Sequence, residues 1–439
     1  MERLTEVLVP ARLGPGFRRL LASSWTSNLG DGVAAAAGPL LVASLDASPS
    51  VVALAATLRW TPPLLFGLGA GVLSDRLDRR RLAVAANCAR LAVLAGLVAA
   101  LATGTATVPL VLGALALVAT AEVFADSAAR TLTPMLVRRE DLSLANARLT
   151  TGFITLDQLA GPPIGAALFA AGRVWPFVGE AVLLTAAIAL LARVVVPRVR
   201  PGGEEPDGGP HGGPESGPDG AAPPGSASDG RRSVRRDVAE GFVWTWRHPA
   251  VRTLALTILV FNVTFGAAWA VLVLYAHERL GLGAVGFGIL STVSAAGGLL
   301  GTSLYGWITR HVSLADVMRI GLVLETLTHL GLALTRSAAV AGTILFVFGA
   351  HAFVWGTTST AVRQAAVPLR LQGRVDSVYT LAVYGGLVAG SAVGGALGER
   401  FGVTAPFWFA FGGSAVFLVL LWRELARIAL RSAPELPTG

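Results

Sequence analysis

The sequence predicts an all-α integral membrane protein in which twelve transmembrane helices form two pseudo-symmetric six-helix bundles. Of the 439 residues, 53% are hydrophobic and only 14% are charged, whereas soluble domains average about 25% charged residues. Apolar runs near the roughly 20 residues that cross a bilayer recur along the chain. An internal repeat divides these runs into two sets of six.

Helices rather than strands are expected because the runs are long and lack the two-residue alternation of membrane strands. The first bundle is predicted over residues 1–197, with helices at 19–45, 51–74, 82–103, 108–130, 149–171 and 174–196. The second bundle is predicted over residues 251–439, with helices at 252–277, 284–309, 314–335, 338–362, 375–398 and 403–425.

A cytoplasmic linker is predicted between the bundles, over residues 198–250. Residues 201–230 are rich in Gly, Pro, Ser and acids, and we expect them to be disordered because they hold too little apolar surface to bury a core. Residues 231–248 are predicted to form an amphipathic helix whose arginines face anionic lipid at the headgroup level. Its apolar residues recur near helical spacing at Val234, Val238, Phe242 and Trp246.

All 35 basic residues are arginines, and the net charge is +8. The arginines cluster in short segments between apolar runs, which fits membrane orientation better than nucleic-acid binding. With the N-terminus inside, the outer loops hold Arg173, Arg279, Arg336 and Arg400. We therefore expect a multi-pass protein of the plasma membrane with both termini in the cytoplasm.

The two halves repeat each other across the linker. The segment from Arg130, RTLTPMLVRREDLSLANARL, leads into LAGPPIGAAL, and the segment from Arg363, RQAAVPLRLQGRV, leads into VAGSAVGGAL. Two related halves are typical of transporters that bind substrate between them near mid-membrane. In the second copy a glycine recurs every fourth residue, which predicts close packing of the eleventh helix against a neighbour. These glycines are Gly386, Gly390, Gly394 and Gly398.

Residues 71–80, GVLSDRLDRR, lie in the predicted turn between the second and third helices. They resemble the signature of the major facilitator superfamily, G-x-L-x-D-R-x-G-R-R, with Asp78 where the family usually has glycine. SNLGDG at 27–32, LVRREDLSLANA at 136–147 and DVAEGFVWTWRHP at 237–249 resemble its macrolide-efflux and enterobactin-exporter branch of drug:proton antiporters. The resemblance covers essentially the whole chain and implies the major facilitator fold and secondary transport.

The charges of this turn are predicted to form a latch that holds the cytoplasmic side shut. Asp75 would face the N-terminus of the eleventh helix, where a carboxylate gains about 0.3–1 kcal/mol. Arg79 would pair with Asp126, and Asp75 with Arg130. The predicted gate comprises Asp75, Arg76, Arg79, Asp126, Arg130, Arg363, Arg374 and Asp376. The alternative is that these charges only fix the topology.

The fifth helix carries a second motif of the resemblance. Antiporters of the superfamily have G-P-x-x-G-G there, and this chain has Gly161, Pro162 and Gly165 followed by Ala166. The motif implies export. A kinked, close-packed helix is expected for either direction of transport.

Ionisable residues fall well inside several predicted spans. A charged side chain at the bilayer centre costs about 2.5–3.5 kcal/mol on insertion scales, so such residues are expected to face a wet cavity or each other. Asp31 and Arg59 form either a permanent pair or one that separates during transport, and Glu325 with His329 is either a proton relay or a structural hydrogen bond. The proton-coupling candidates, among which Glu122 is slightly favoured, are Asp31, Glu122, Asp157, Glu325 and His329.

The function expected from these features is proton-coupled export of amphipathic small molecules such as drugs, antibiotics or siderophores. The chain lacks a G-x-x-x-x-G-K-[ST] nucleotide loop and an H-E-x-x-H metal motif, so we expect a monomeric transporter rather than an enzyme, without cofactor or metal. Alternatives are an uptake permease for a small nutrient and a transport-inactive sensor or scaffold. The candidates for substrate contacts, each of a residue type that more often packs in a core than binds a ligand, are Trp25, Asn28, Arg59, Asn262, Trp269, His351 and Trp355.

Overall fold

The computed structural model describes residues 10–195 and 234–431, and its helices confirm the expected all-α membrane fold. The segment predicted to be disordered, 201–230, lies outside the described residues. The first half holds α1 Gly14–Leu45, α2 Pro49–Arg76, α3 Arg79–Ala102, α4 Val108–Leu136, α5 as Leu142–Gly152, Phe153–Ala160 and Gly161–Ala171, and α6 Trp175–Ala192. The second half holds α7 as Pro249–Ala270, Leu272–Leu274 and Tyr275–Arg279, α8 Ala284–His311, α9 Leu314–Leu334, α10 Ala338–Ala366, α11 Gln372–Phe401 and α12 Ala405–Arg431.

A shorter helix, Val234–Arg247, precedes α7 and is called the linker helix here. The odd-numbered helices α1 to α11 begin on the side of the linker helix, which we call the linker side. The opposite side, where α1 ends and α2 begins, is the far side.

The fifth span departs from the expected continuous helix. Eleven helices in the described part of the chain are long and apolar enough to cross a membrane. The span α5 is not one of them because a π-helical segment, Phe153–Ala160, interrupts it. Such segments occur mostly as short insertions in helices and are frequent at functional sites. This one contains Asp157.

Asp78, the residue that departs from the family signature, caps α3. Its carboxylate accepts a hydrogen bond of 2.9 Å from the backbone N–H of Arg81. Aspartate is favoured at this position because its oxygen satisfies one of the free N–H groups of the first turn. The turn is therefore shorter than expected, since α2 continues to Arg76 and α3 already begins at Arg79.

The structure confirms the internal repeat. In each half a 3₁₀ turn, Arg139–Asp141 or Leu369–Leu371, joins the fourth helix of that half to the fifth. Equivalent glycines then pack in the same way. Gly165 of α5 lies against the backbone of Val33 on α1, and Gly394 of α11 lies against the backbone of Ala267 on α7.

The glycine strip of α11 confirms the predicted close packing. A Cβ at Gly386 would lie 2.8 Å from Cβ of Asn262 on α7. A Cβ at Gly398 would lie 2.9 Å from Cβ of Pro49 on α2. Real Cβ atoms do not approach so closely, so at these glycines α11 packs closely against helices of both halves.

Candidate functional site

Every helix of the first half contributes at least one ionisable side chain to a group whose charges interact with one another. Asp31 acts electrostatically on Glu122, Asp157 and Glu180, and Arg90 acts on Glu122 and Glu180. We call this set the N-half cluster. From α1 to α6 its members are Asp31, Arg59, Arg90, Glu122, Asp157 and Glu180.

Arg90 is the buried centre of the N-half cluster. Its Nη2 forms an ion pair with Oδ1 of Asp31 and lies 3.5 Å from Oε1 of Glu180, while Nη1 donates to Oδ1 of Asn87 at 3.5 Å. A permanent Asp31–Arg59 pair is therefore wrong, because α3 rather than α2 presents its arginine to Asp31, whereas an Asp31–Arg59 pair that forms only during transport stays a prediction. The Arg59 guanidinium instead lies 5.5 Å from the centre of the Trp60 ring.

Sequence reasoning missed Arg90 and Glu180. Both residues meet the criterion that identified the other candidates, because each is an ionisable residue inside a predicted apolar span. Glu180 is 2% exposed, and neither of its carboxylate oxygens has a hydrogen-bond partner among the described residues. Its nearest cation is the Arg90 guanidinium, which already pairs with Asp31.

Glu122 differs from Asp31 in having no fixed partner. It lies near the middle of α4 and is half-buried, and it forms no hydrogen bond or ion pair with any residue that the structure describes. Asp31, Arg90 and Arg59 act on it through space. A change in the protonation of Glu122 would therefore break no contact with a described residue.

Charges of the first half face Tyr384 on α11 of the second half. Arg130, Asp126, Glu122 and Arg59 all act electrostatically on its hydroxyl. Asp126 and Arg130 are also exposed to solvent. Side chains that are exposed and yet face the opposite half must line a gap between the halves.

This gap is closed on the far side. Ser50 of α2 donates a hydrogen bond of 2.7 Å from its hydroxyl to Oε2 of Glu399 on α11. A Cβ at Gly288 of α8 would lie 2.6 Å from Cβ of Ala166 on α5. Both contacts lie near the far-side ends of their helices, whereas Asp126 and Arg130 are exposed towards the linker side. The cluster is therefore reached from the linker side.

A second buried group lies in the second half, between α9 and α10. Nε2 of His329 lies 2.8 Å from Oε1 of Glu325, one helical turn away, and Nε2 of His351 lies 3.4 Å from Oε2 of the same carboxylate. All three side chains are buried. The structure therefore brings together Glu325, His329 and His351, although no sequence pattern grouped His351 with the other two.

Several substrate-contact candidates have packing partners. Nδ2 of Asn262 donates to the Ile258 carbonyl at 2.7 Å, and Nε1 of Trp25 donates to the Arg148 carbonyl at 3.1 Å. Trp355 is buried against Gly321. Asn28 and Trp269 are half-buried, so their contact with substrate stays a prediction.

An aromatic stack on α7 and α10 was not anticipated. The Phe265 ring lies 4.3 Å from Trp269 and 5.8 Å from Phe348, centre to centre, and Phe261 lies 6.1 Å from Trp355. The signal was present in the sequence, because Phe261, Phe265 and Trp269 follow each other at four-residue spacing.

The residues of the predicted gate are arranged differently from the expected latch. Arg79 approaches the Ser74 carbonyl at 3.4 Å and Sδ of Met135 at 3.1 Å rather than Asp126, because these groups lie beside it on the linker side. The side chains of Asp75 and Arg76 lie outside the described set, so the Asp75–Arg130 pair stays a prediction.

The gate residues of the second half contact that half or the linker helix. Arg363 pairs with Asp376 at 2.8 Å, and its guanidinium lies 4.0 Å from the centre of the Tyr379 ring. Arg374 pairs with Glu240 of the linker helix at 2.6 Å. The motif residues of α5 pack closely: Gly161 against Gly32, and Pro162 beside Gly288.

Three comparisons place these features among known proteins. The model of the Major Facilitator Superfamily matches residues 20–388. The chain is 28% identical over 433 residues to the multidrug efflux pump Tap of Mycolicibacterium fortuitum, covering 92% of this chain and 96% of that protein. It is also 35% identical over 144 residues to uncharacterized MFS-type transporters of Mycobacterium bovis and Mycobacterium tuberculosis, and this match spans 33% of the length of each.

Solved structures share the fold. A mutant of the nucleoside transporter NupG matches with a TM-score of 0.70 at 12% identity, over 93% of this chain and 99% of that one. A bacterial homologue of the iron transporter ferroportin, in an inward-facing state, matches with a TM-score of 0.70 at 14% identity, over 94% of this chain and 98% of that one.

Proposed function

The chain belongs to the major facilitator superfamily, and from this premise we propose that it is a proton-coupled exporter of amphipathic small molecules in the plasma membrane. Members of the superfamily are multi-pass membrane transporters rather than enzymes, and such transporters bind substrate between two pseudo-symmetric halves. Our proposal adds to this the coupling to protons, the direction of transport and the kind of substrate.

The charge balance of the N-half cluster carries the proposal. The six members hold four carboxylates and two guanidinium groups, and the neighbouring Asp126 and Arg130 add one charge of each sign, so two negative charges stay uncompensated when every acid is ionised. Uncompensated charge inside a membrane is costly. The cluster therefore favours a state in which it holds protons or a bound cation.

Glu122 and Asp157 are the proposed exchange sites. Asp31 is held by Arg90, whereas Glu122 and Asp157 lie within no salt-bridge distance of an arginine in the described residues. Competition between protons and a cationic or amphipathic substrate for the same carboxylates gives antiport. The substrate would enter from the linker side and displace protons there, and the protons would return from the far side.

Export is supported by two observations. The Gly161, Pro162 and Gly165 motif resembles the antiporter pattern in α5, with Ala166 in place of its last glycine, and the chain is similar over most of its length to an efflux pump. If the linker side lies in the cytoplasm, this conformation is open to the cytoplasm and accepts substrate from the cell.

Dye transport in everted vesicles tests the proposal. We expect a fluorescent amphipathic cation to accumulate inside the vesicles when their interior is acidic, and accumulation to stop when the pH gradient is collapsed. Glu122→Gln should abolish the dependence on the gradient while the protein stays folded.

The matched control is Glu278→Gln, which changes an exposed far-side acid and should leave transport intact. Dye movement that ignores the pH gradient in the unaltered protein would contradict proton coupling. Depletion rather than accumulation in everted vesicles would favour the uptake permease.

A further inference from the structure

The linker helix, Val234–Arg247, carries an exposed apolar stripe. Phe242, Val243 and Trp246 are 54%, 48% and 53% exposed, and Ala239 is exposed beside them. These positions are spaced as i, i+3, i+4 and i+7, so they form one continuous face of the helix. Large apolar side chains clustered on an exposed face mark an interaction surface.

A different face attaches the linker helix to the second half. Glu240 pairs with Arg374 at 2.6 Å, and Gly241 lies so close to the Arg374 carbonyl that no side chain would fit there. Thr245 is buried. Trp244 packs against a small apolar cluster, which consists of Val251, Val367, Leu371 and Val375. The linker helix is therefore fixed to the first turns of α11, and its apolar stripe points elsewhere.

The apolar stripe lies at the level where the spanning helices end. His248 alone separates the linker helix from α7, which begins at Pro249. The guanidinium of Arg252, in the first turn of α7, lies 5.9 Å from the centre of the Trp246 ring. Tryptophan and arginine are both typical of the boundary between hydrocarbon and headgroups.

Positive charge borders the apolar stripe. Arg236 and Arg247 are exposed and lie between Val243 and Glu240 around the helix axis, at one edge of the stripe. A helix lying flat with its stripe in the acyl region would hold these two guanidinium groups among the headgroups. There they attract anionic lipid.

We propose that the linker helix binds anionic lipid headgroups and thereby clamps the linker-side end of α11 to the membrane surface. The apolar stripe enters the acyl region, the arginines bind headgroups, and the Glu240–Arg374 pair passes the restraint to α11. A lipid surface fits better than a protein partner, because the stripe lies directly beside the ends of spanning helices. This inference is independent of the cargo and of proton coupling.

Collision accessibility of spin labels tests the position of the stripe. Cys88, the single native cysteine, is exposed and would be replaced by alanine. Labels would then be attached to Phe242→Cys, Trp246→Cys and the matched control Arg247→Cys in phosphatidylethanolamine vesicles with phosphatidylglycerol. We expect oxygen to relax the labels at 242 and 246 more than an aqueous nickel chelate does, and the reverse at 247. Preferential relaxation of the labels at 242 and 246 by the nickel chelate would overturn the proposal.

Lipid-specific quenching tests the headgroup preference. A fluorophore on Trp246→Cys should be quenched more by brominated phosphatidylglycerol than by brominated phosphatidylethanolamine. Arg236→Gln and Arg247→Gln should each lower this preference about fivefold, whereas Arg336→Gln on the far side should not change it. Equal quenching by the two lipids, or a preference that survives both substitutions, would overturn the anionic-lipid assignment.

Discussion

Arg90 of α3 and Asp31 of α1 form an ion pair deep inside the first half, where Arg90 is 2% and Asp31 13% exposed. The same guanidinium approaches Glu180 of α6. One arginine thus joins three helices and neutralises the acid of the SNLGDG segment. This arrangement separates Asp31, which has a fixed partner, from Glu122, which has none in the described chain.

Replacing Arg90 should destabilise the protein strongly. Arg90→Gln leaves Asp31 and Glu180 without their cation, and breaking a buried pair in this way costs about 3–5 kcal/mol. Thermal unfolding in detergent should therefore show a clearly lower Tm. Arg81→Gln is the matched control, because Arg81 lies on the same helix but is 83% exposed.

A double variant identifies the cause. Arg90→Gln with Asp31→Asn removes both charges of the pair, so it should be more stable than Arg90→Gln alone. If the double variant is no more stable than Arg90→Gln, uncompensated charge does not explain the lower Tm. The lost packing of the Arg90 side chain would then be the cause.

Glu180→Gln should have the opposite effect on stability. Neither oxygen of Glu180 has a hydrogen-bond partner in the described part of the chain, and Arg90 keeps Asp31 as its partner. Removing one of the surplus negative charges therefore relieves a desolvation cost. We expect the Tm to stay unchanged or to rise, and Asp31→Asn to lower it. A fall for Glu180→Gln as large as that for Arg90→Gln would make Glu180 an essential partner of Arg90.

The glycine contacts of the two halves should be equally intolerant of side chains. Gly394→Ala forces a methyl group against the Ala267 backbone, and overpacking of this kind costs about 1–3 kcal/mol. Gly165→Ala does the same against Val33. Thermal unfolding should show a lower Tm for both.

Gly412→Ala in α12 is the control for these substitutions. Nothing lies within 4 Å of a Cβ built there, so the higher helix propensity of alanine should leave the Tm equal or higher. A Tm for Gly394→Ala that matches the control would mean that α7 and α11 can separate at no cost.

Sequence patterns revealed what depends on composition and spacing. The apolar runs predicted the twelve spans, of which α5 is interrupted, and the four-residue glycine spacing predicted that α11 has a close neighbour. The structure identifies that neighbour as α7, whose backbone Gly390 and Gly394 contact. The repeat around Arg130 and Arg363 gave the equivalence of the halves. Each of these features is local in the chain, so a linear pattern carries it.

Side-chain pairings between helices could not be predicted from such linear patterns. The partner of Asp31 depends on the rotation of α1, α2 and α3 about their axes. Depth in the membrane alone does not distinguish Arg59 from Arg90 as that partner. The π-helical segment around Asp157 leaves no mark in the apolar pattern either. Arg90 and Glu180 themselves were visible as charges in apolar runs.

The far-side contact of Ser50 with Glu399 allows a direct test of alternating access. Their side chains meet at 2.7 Å across the two halves, and this contact must break whenever the far side opens. In a Cys88→Ala background, a short reducible cross-linker between Ser50→Cys and Glu399→Cys should hold the far side closed. Dye transport in everted vesicles should then stop, and reduction of the cross-link should restore it. Each single variant, treated in the same way, should still transport, because one cysteine cannot bridge the halves. Full transport by completely cross-linked protein would mean that the far side opens elsewhere, and α2 and α11 would then not be the moving contact between the halves.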